Sequence, residues 1–272
     1  MHPRLHRIAQ LATALALTGL VAGGCNSADD KTTVNVFAAA SLTDAFRAIA
    51  DDFRKTHPGI KVNLNFAGSQ TLRTQIEHGA NPQVFASANR RHMAALENRK
   101  LISPPVTFAH NEMVIVVPPG NPAGITNLAT LANAKRIVLA GASVPAGAYA
   151  QRVLNKATET LGAKFPQRVL KHVVSREQHV RQTLQKVVLG EADAAMVYAT
   201  DAVSAGDKVR IIRIPSQFNI NAAYPIASVG GGTALGDKFI EFVRSPAGRK
   251  LLQKHGFRPS SMTRVQTAMN LK

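Results

Sequence analysis

Two turns hold the residues best suited to chemistry. In Ala38-Ala-Ala-Ser41-Leu-Thr-Asp44 a β-rich run ends in small residues, and a serine falls where a helix begins. Phe66-Ala-Gly-Ser69-Gln-Thr-Leu72 repeats the design. Small residues let a ligand approach the backbone. A serine hydroxyl donates a hydrogen bond, and the first turn of a helix presents unpaired N–H groups with partial positive charge. Together these suit an anion. Either serine taken singly also reads as a plain helix cap. Ser41 fits the N-cap of the helix that follows it, and Asp44 stands three residues later, where it completes a capping box. Finding the same turn twice favours the anion.

The second half of the chain has comparable turns. Gly141-Ala-Ser-Val-Pro-Ala-Gly147 joins a strand to a helix beginning near Ala146 and offers free N–H groups there. Arg176-Glu-Gln-His-Val180 falls in the first turns of another helix, so the N–H of Val180 is also expected to point outward. Tyr198 ends the run Ala194-Ala-Met-Val-Tyr198 and can aim its hydroxyl into a cleft. Other chemistry finds no support. Beyond residue 24 the histidines form no HxxxH or HxH pair, so no site for a metal cation is expected. No G-x-S-x-G elbow surrounds Ser41, Ser69 or Ser143, and no acid–base set accompanies them, so the chain is not expected to be an enzyme. It has no G-x-x-x-x-G-K-[ST] loop to hydrolyse ATP itself.

The elements that must position these turns alternate between strand and helix. Thr33–Ala38 is β-rich. From Leu42 to His57 the apolar residues Leu42, Ala45, Phe46, Ile49, Ala50 and Phe53 keep the spacing of one helix face. Lys61–Phe66 and Val84–Ser87 read as strands, and the segments after them as helices. Such alternation predicts parallel sheets with helices on their faces, and ligands beyond the carboxyl ends of the strands. At Glu112 the texture changes. Met113–Val117 is a wholly apolar strand, and a second series follows: strand 136–140, helix 146–161, helix 176–189, strand 194–198 and strand 209–214. The chain then returns near 220–228 and ends in helices 234–244 and 247–255. The expectation is an α/β protein of two lobes. Each lobe is a mixed, mostly parallel sheet flanked by helices, with a ligand cleft between them. Lobe I takes residues 34–113 and 224–257, lobe II residues 114–223, and residues 258–272 form a loose basic tail.

The start of the chain reads as an export signal covering residues 1–24. Arg4 and Arg7 precede an apolar stretch from Ile8 to Val21, and small residues lead to Cys25. Cys25 is the only cysteine, so no internal disulfide is possible. Its place fits a lipoprotein signal, in which it would be acylated and anchor the protein to a membrane. Ordinary cleavage nearby, with Cys25 incidental, is the alternative. A short polar tether, 25–33, leads to the folded part. The formal net charge is +17, and +15 once residues 1–24 are removed. The basic residues are dispersed, no nucleic-acid motif occurs, and the chain has no Trp. A solvated basic surface that steers anions toward a cleft is therefore expected, not nucleic-acid binding.

Several segments together resemble one family. Ala-Ala-Ala-Ser41-Leu, Phe-Ala-Gly-Ser69, Val-Pro-Ala146-Gly-Ala-Tyr149-Ala, His-Val180-Arg and Val-Tyr198-Ala-Thr-Asp-Ala are similar, in order and spacing, to segments of the molybdate-binding protein of ABC importers. The resemblance runs from about residue 33 to 257. It implies a type II periplasmic binding fold, a periplasmic monomer, and a permease partner with a separate ATPase subunit. It also implies molybdate or tungstate as ligand, with no cofactor. The oxyanion would be held by the hydroxyls of Ser41, Ser69 and Tyr198 and by backbone N–H groups of Ala146 and Val180, with Ala40 and Ser69 amides adding to them. Gln83 stands where the family tends to carry Asp, which puts a supporting contact in doubt. His179 stands where an acid is common, and is expected to make the pocket mouth more positive. Two other readings stay open: the same scaffold serving sulfate or thiosulfate, and a membrane-tethered interaction protein whose basic surface matters more than its cleft.

Overall fold

The computed structural model describes residues 32–260. The proposed signal, Cys25, most of the tether and residues 261–272 lie outside them. The chain begins with β1 (Thr33–Ala39), α1 (Thr43–Thr56), β2 (Lys61–Ala67), α2 (Ser69–Glu77), β3 (Val84–Ala86), α3 (Arg90–Asn98) and β4 (Val106–Asn111). A second set follows: β5 (Met113–Val117), β6 (Ile137–Ala140), α4 (Pro145–Lys156), α5 (Thr158–Leu161), α6 (Phe165–Leu170), β7 (Val173–Glu177), α7 (Val180–Val188), β8 (Ala194–Tyr198), α8 (Ala199–Ala205) and β9 (Arg210–Arg213). β10 (Ala222–Ser228), α9 (Ala234–Arg244), α10 (Pro246–Lys254) and β11 (Arg258–Pro259) complete it.

Two sheets result, in the orders β11-β4-β10-β3-β1-β2 and β7-β6-β8-β5-β9. β1 pairs in parallel with β2 and β3, and β6 with β7 and β8. β10 and β5 run antiparallel to their neighbours because each belongs to a segment that has just crossed between sheets. The first crossing takes a single residue, Glu112, and the second takes 214–221. β11 pairs with β4, so the first sheet reaches two residues into the segment read from sequence as a tail.

The apolar patterns explain the layers. β5 and β8 are buried along their whole length, as all-apolar runs covered on both faces should be. α1 buries Phe46, Ile49, Ala50 and Phe53 against the first sheet. There Phe239 of the returning α9 meets Phe46 and Phe53 in edge-on contacts. Full burial of each such ring is worth roughly 1.5–3 kcal/mol, which ties the last helices to the first.

Asparagines pin the two crossings. The Asn219 amide donates to the Met113 carbonyl and accepts the Met113 N–H at 2.9 and 3.0 Å. Asn111 accepts the N–H of Glu112 and donates to Thr200.

Two runs depart from the sequence reading. Residues 146–161 are two helices, α4 and α5, parted at Ala157. Residues 176–189 are not one helix either. Arg176 and Glu177 end the edge strand β7, and the helix starts at Val180. β7 is polar and only partly buried, so it lacks the apolar run that marked the other strands.

Candidate anion-binding site

β1, β2 and β8 each end in a turn into a helical segment, and these turns meet at one cavity with the first turns of α4 and α7. Ser41, Ser69, Ala146, Val180 and Tyr198 all line it, together with Ala40, Gly68 and His179. The free volume is about 10 Å³, close to the least that holds one water and far below the few hundred Å³ that an organic ligand needs. No carboxylate, lysine or arginine lines it.

Lobe I contributes hydroxyls, each with its oxygen already engaged. Ser69 is the first residue of α2, and its Oγ accepts the N–H of Ala88 at 3.0 Å. Its own hydrogen is left to donate. Ser41 does not cap α1, and no capping box forms. It lies in a one-turn 3₁₀ segment, Ala40–Leu42, and the N-cap of α1 is Leu42, which makes no side-chain cap bond. The Ser41 hydroxyl instead sits 2.9 Å from the Tyr224 hydroxyl, which also receives the Asn111 amide at 3.4 Å. With Asn111 donating to Tyr224, Tyr224 donates to Ser41, and the Ser41 hydrogen is free for the cavity. Asp44, the expected capping partner, turns to Arg181.

Lobe II contributes amides. Val144 caps α4 and Pro145 occupies its first position, so Ala146 bears the first N–H of that helix, with no partner within it. Gly147 lets this turn press onto the end of β6: a Cβ there would collide with the carbonyls of Ala140 and Gly141. Val180 is the first residue of α7, so its N–H is likewise unpaired. His179 caps α7 by accepting the Gln182 N–H on Nδ1. A ring accepting there is neutral, and burial first, then Arg181, hold its pKa below the ordinary histidine value. The expected extra positive charge at the mouth is therefore absent, and His179 faces the cavity as a neutral group.

Tyr198 is wholly buried, and among the described residues its hydroxyl has no hydrogen-bond partner. Burial, followed by the neighbouring Tyr224, pushes its pKa well above the usual value, so it stays a protonated donor. An orphaned hydroxyl in so dry a place costs about 1–3 kcal/mol, which a ligand accepting from it would recover. The chain's three tyrosines meet here. Tyr198 lies edge-on to Tyr224 at 5.7 Å and to Tyr149 at 6.3 Å between ring centres.

Charged groups stand behind Ser41. Arg181 is held between Asp44 of α1 and Asp201 of α8, at 2.6 Å from each. Asp201 is fully buried. Desolvation pushes its pKa up to about 6, with Arg181 pulling the other way. This triad bridges the lobes; with both carboxylates ionised it carries one net negative charge, but none of its three members lines the cavity. The lobes are tied at two more points: Gln70 donates to the Gln178 carbonyl at 2.8 Å, and His92 Nε2 meets the Ser143 carbonyl at 2.8 Å. Gln83, singled out by sequence, lies elsewhere. Its side chain accepts the Asn35 N–H at 2.7 Å within lobe I. The residues that the sequence did not single out are Asn111, Arg181 and Asp201. They act through partners far away in the chain, where no local pattern marks them.

Two sheet-and-helix lobes joined by two crossings, with helix starts converging on a small cavity between them, define a two-lobed solute-binding protein. The chain belongs to the bacterial extracellular solute-binding protein family, whose pattern matches residues 34–258. It is 36% identical over 259 residues to the molybdate-binding protein ModA of Mycobacterium tuberculosis, covering 91% of this chain and 95% of that one. It is 32% identical to Escherichia coli ModA over 259 residues, 91% of this chain and 96% of that one. Among solved structures it resembles the substrate-binding domain of a putative molybdenum ABC transporter from Clostridium difficile. That match has a TM-score of 0.64 and 26% identity, and covers 84% of this chain and 99% of that one.

Proposed function

We propose that this protein captures molybdate, and its congener tungstate, outside the cytoplasm and delivers it to the permease of an ABC importer whose ATPase is a separate subunit. The observation that carries this reading is the cavity itself. Ser41, Ser69, Tyr198, Ala146 and Val180, which carry hydroxyl or helix-start amide donors, line one small space with no charged side chain among its described lining residues. A tetrahedral dianion held by neutral donors escapes the cost of desolvating a counter-charge. Each bond to it is charge-assisted and worth roughly 1.5–3 kcal/mol. An ion that keeps a proton, such as hydrogen phosphate, brings an O–H that no lining carboxylate can accept. The kinship with the ModA proteins agrees with this chemistry.

In this reading the lobes close on the ion about the crossings at Glu112 and 214–221, and the closed form docks on the permease. The protein works as a monomer, uses no cofactor, and is tethered to the membrane through an acylated Cys25. Melting curves test the ligand. Micromolar molybdate or tungstate should raise the melting temperature, and the same concentration of phosphate should not. A rise with sulfate alone would move the assignment to the sulfate-type alternative.

A further inference from the structure

A second and much larger cavity opens between the lobes. The first turn of α4 borders both: Ala146 faces the small cavity and Gly147 the large one. Its volume is about 760 Å³, within the roughly 300–1,000 Å³ typical of sites for small organic molecules. Lobe I lines it with Arg90 and Arg91 of α3 and His110 of β4. Lobe II answers with Tyr149 and Arg152 of α4 and Arg176 of β7.

Four guanidinium groups thus surround one space, and no carboxylate lines it. Among the described residues none of the four has a carboxylate within ion-pair distance, although Arg54, Arg73, Arg99, Arg136 and Arg181 all do. Like charges gathered without a counter-charge repel one another, so the arrangement favours an anionic occupant. The Arg152 guanidinium lies over the Tyr149 ring, 5.7 Å from its centre, which leaves an apolar wall beside a charged one. Burial, together with Arg258 and Arg90, holds the His110 pKa below its ordinary value, and among the described residues its Nδ1 has no partner.

The charges are spread over both walls of a space far too large for a single oxyanion. Arginine forks pair with phosphate, sulfonate and carboxylate groups through two parallel hydrogen bonds. We propose that this cleft is a second binding site, separate from the oxyanion cavity, for an organic molecule bearing two or more acid groups. The Tyr149 face receives the organic body, and the arginines receive the acid groups from both lobes.

Pyrene tetrasulfonate serves as the probe, followed by fluorescence anisotropy at about 0.15 M salt, where surface attraction is screened beyond about 8 Å. The protein is first loaded with one equivalent of molybdate, so that the small cavity is filled. Saturable one-to-one binding is expected. The pair Arg152→Ala/Arg176→Ala should weaken it on the order of tenfold or more, since two charge-assisted contacts are lost. Arg90→Gln/Arg91→Gln, from the opposite wall, should act likewise. It also stands in if the first pair loses the wild-type melting temperature. Lys238→Ala/Lys250→Ala, two exposed lysines on α9 and α10, should leave binding within twofold. Absence of saturable binding, equal weakening by cleft and control pairs, or displacement by equimolar molybdate would each overturn the proposal.

Discussion

Lobe I reaches the small cavity through two serine hydroxyls, each with its oxygen already occupied. Lobe II reaches it through two amides at helix starts and one tyrosine hydroxyl that no described residue satisfies. The two halves depend on different things. A hydroxyl rotates, so its aim must be fixed by neighbours: Ala88 for Ser69, and Asn111 through Tyr224 for Ser41. An amide cannot rotate apart from its backbone, so it is aimed by the placement of α4 and α7 alone. Lobe I therefore writes its hydroxyl donors in side chains, although the Ser69 amide, first in α2, stands as that of Val180 does, and lobe II writes most of its part in the fold.

The largest expected effect strikes the side-chain half. Ser41→Ala with Ser69→Ala should cost roughly 3–6 kcal/mol of molybdate affinity, at about 1.5–3 kcal/mol per charge-assisted bond. Titration calorimetry reads this directly, and a double variant within threefold of wild type would remove lobe I from the shell. The amide half needs a different tool. Val180→Pro deletes one N–H at a helix position that accepts proline, and His179 before it is already extended. A loss of about 1.5–3 kcal/mol in affinity is expected with the free protein still folded by circular dichroism. Full retention of affinity would show that this amide is not a donor.

A smaller effect probes the relay. Tyr224→Phe leaves Ser41 in place but unaimed, and should weaken binding by about 0.5–1.5 kcal/mol. An effect as large as that of the serine pair would mean that Tyr224 touches the ligand itself.

The smallest effect concerns pH. His179 is held below the ordinary histidine value, so the unfolded chain takes up protons first as pH falls. The stability it adds is complete above about pH 6.5 and is lost on acidification through the lower folded value. Asp201 works in the opposite sense, losing its contribution as pH rises through about 6, but it titrates in both proteins of a matched pair. His179→Asn keeps a capping acceptor without the titration. Its melting temperature should fall less than that of the wild type between pH 7 and 5. Parallel curves would contradict this.

The same contrast explains what was legible in the sequence. The α1 stripe and the apolar runs of β5 and β8 announced themselves through periodicity, and Ser41 and Ser69 through their turns. Ala146 and Val180 bear no side-chain signal. Strand–turn–helix pattern and family resemblance pointed to them, and the pattern put Val180 inside a helix that in fact begins with it. The polar edge strand β7 hid that boundary. The Ser41 capping box was a fair local reading, but Tyr224, 183 positions away, and Arg181, 137 positions from Asp44, redirected both of its members. Contacts of that separation leave no trace in local spacing.

The most direct test of the account is Tyr198→Phe compared with wild type, with molybdate titrated calorimetrically into each and the melting of the free proteins recorded. The Tyr198 hydroxyl is buried and has no partner among the described residues, so its removal should stabilise the free protein by about 1 kcal/mol and weaken molybdate binding by about 1.5–3 kcal/mol. Opposite signs for stability and affinity are the predicted result. A wild type that takes up no molybdate, or a variant that binds it as tightly as the wild type does, would contradict the account.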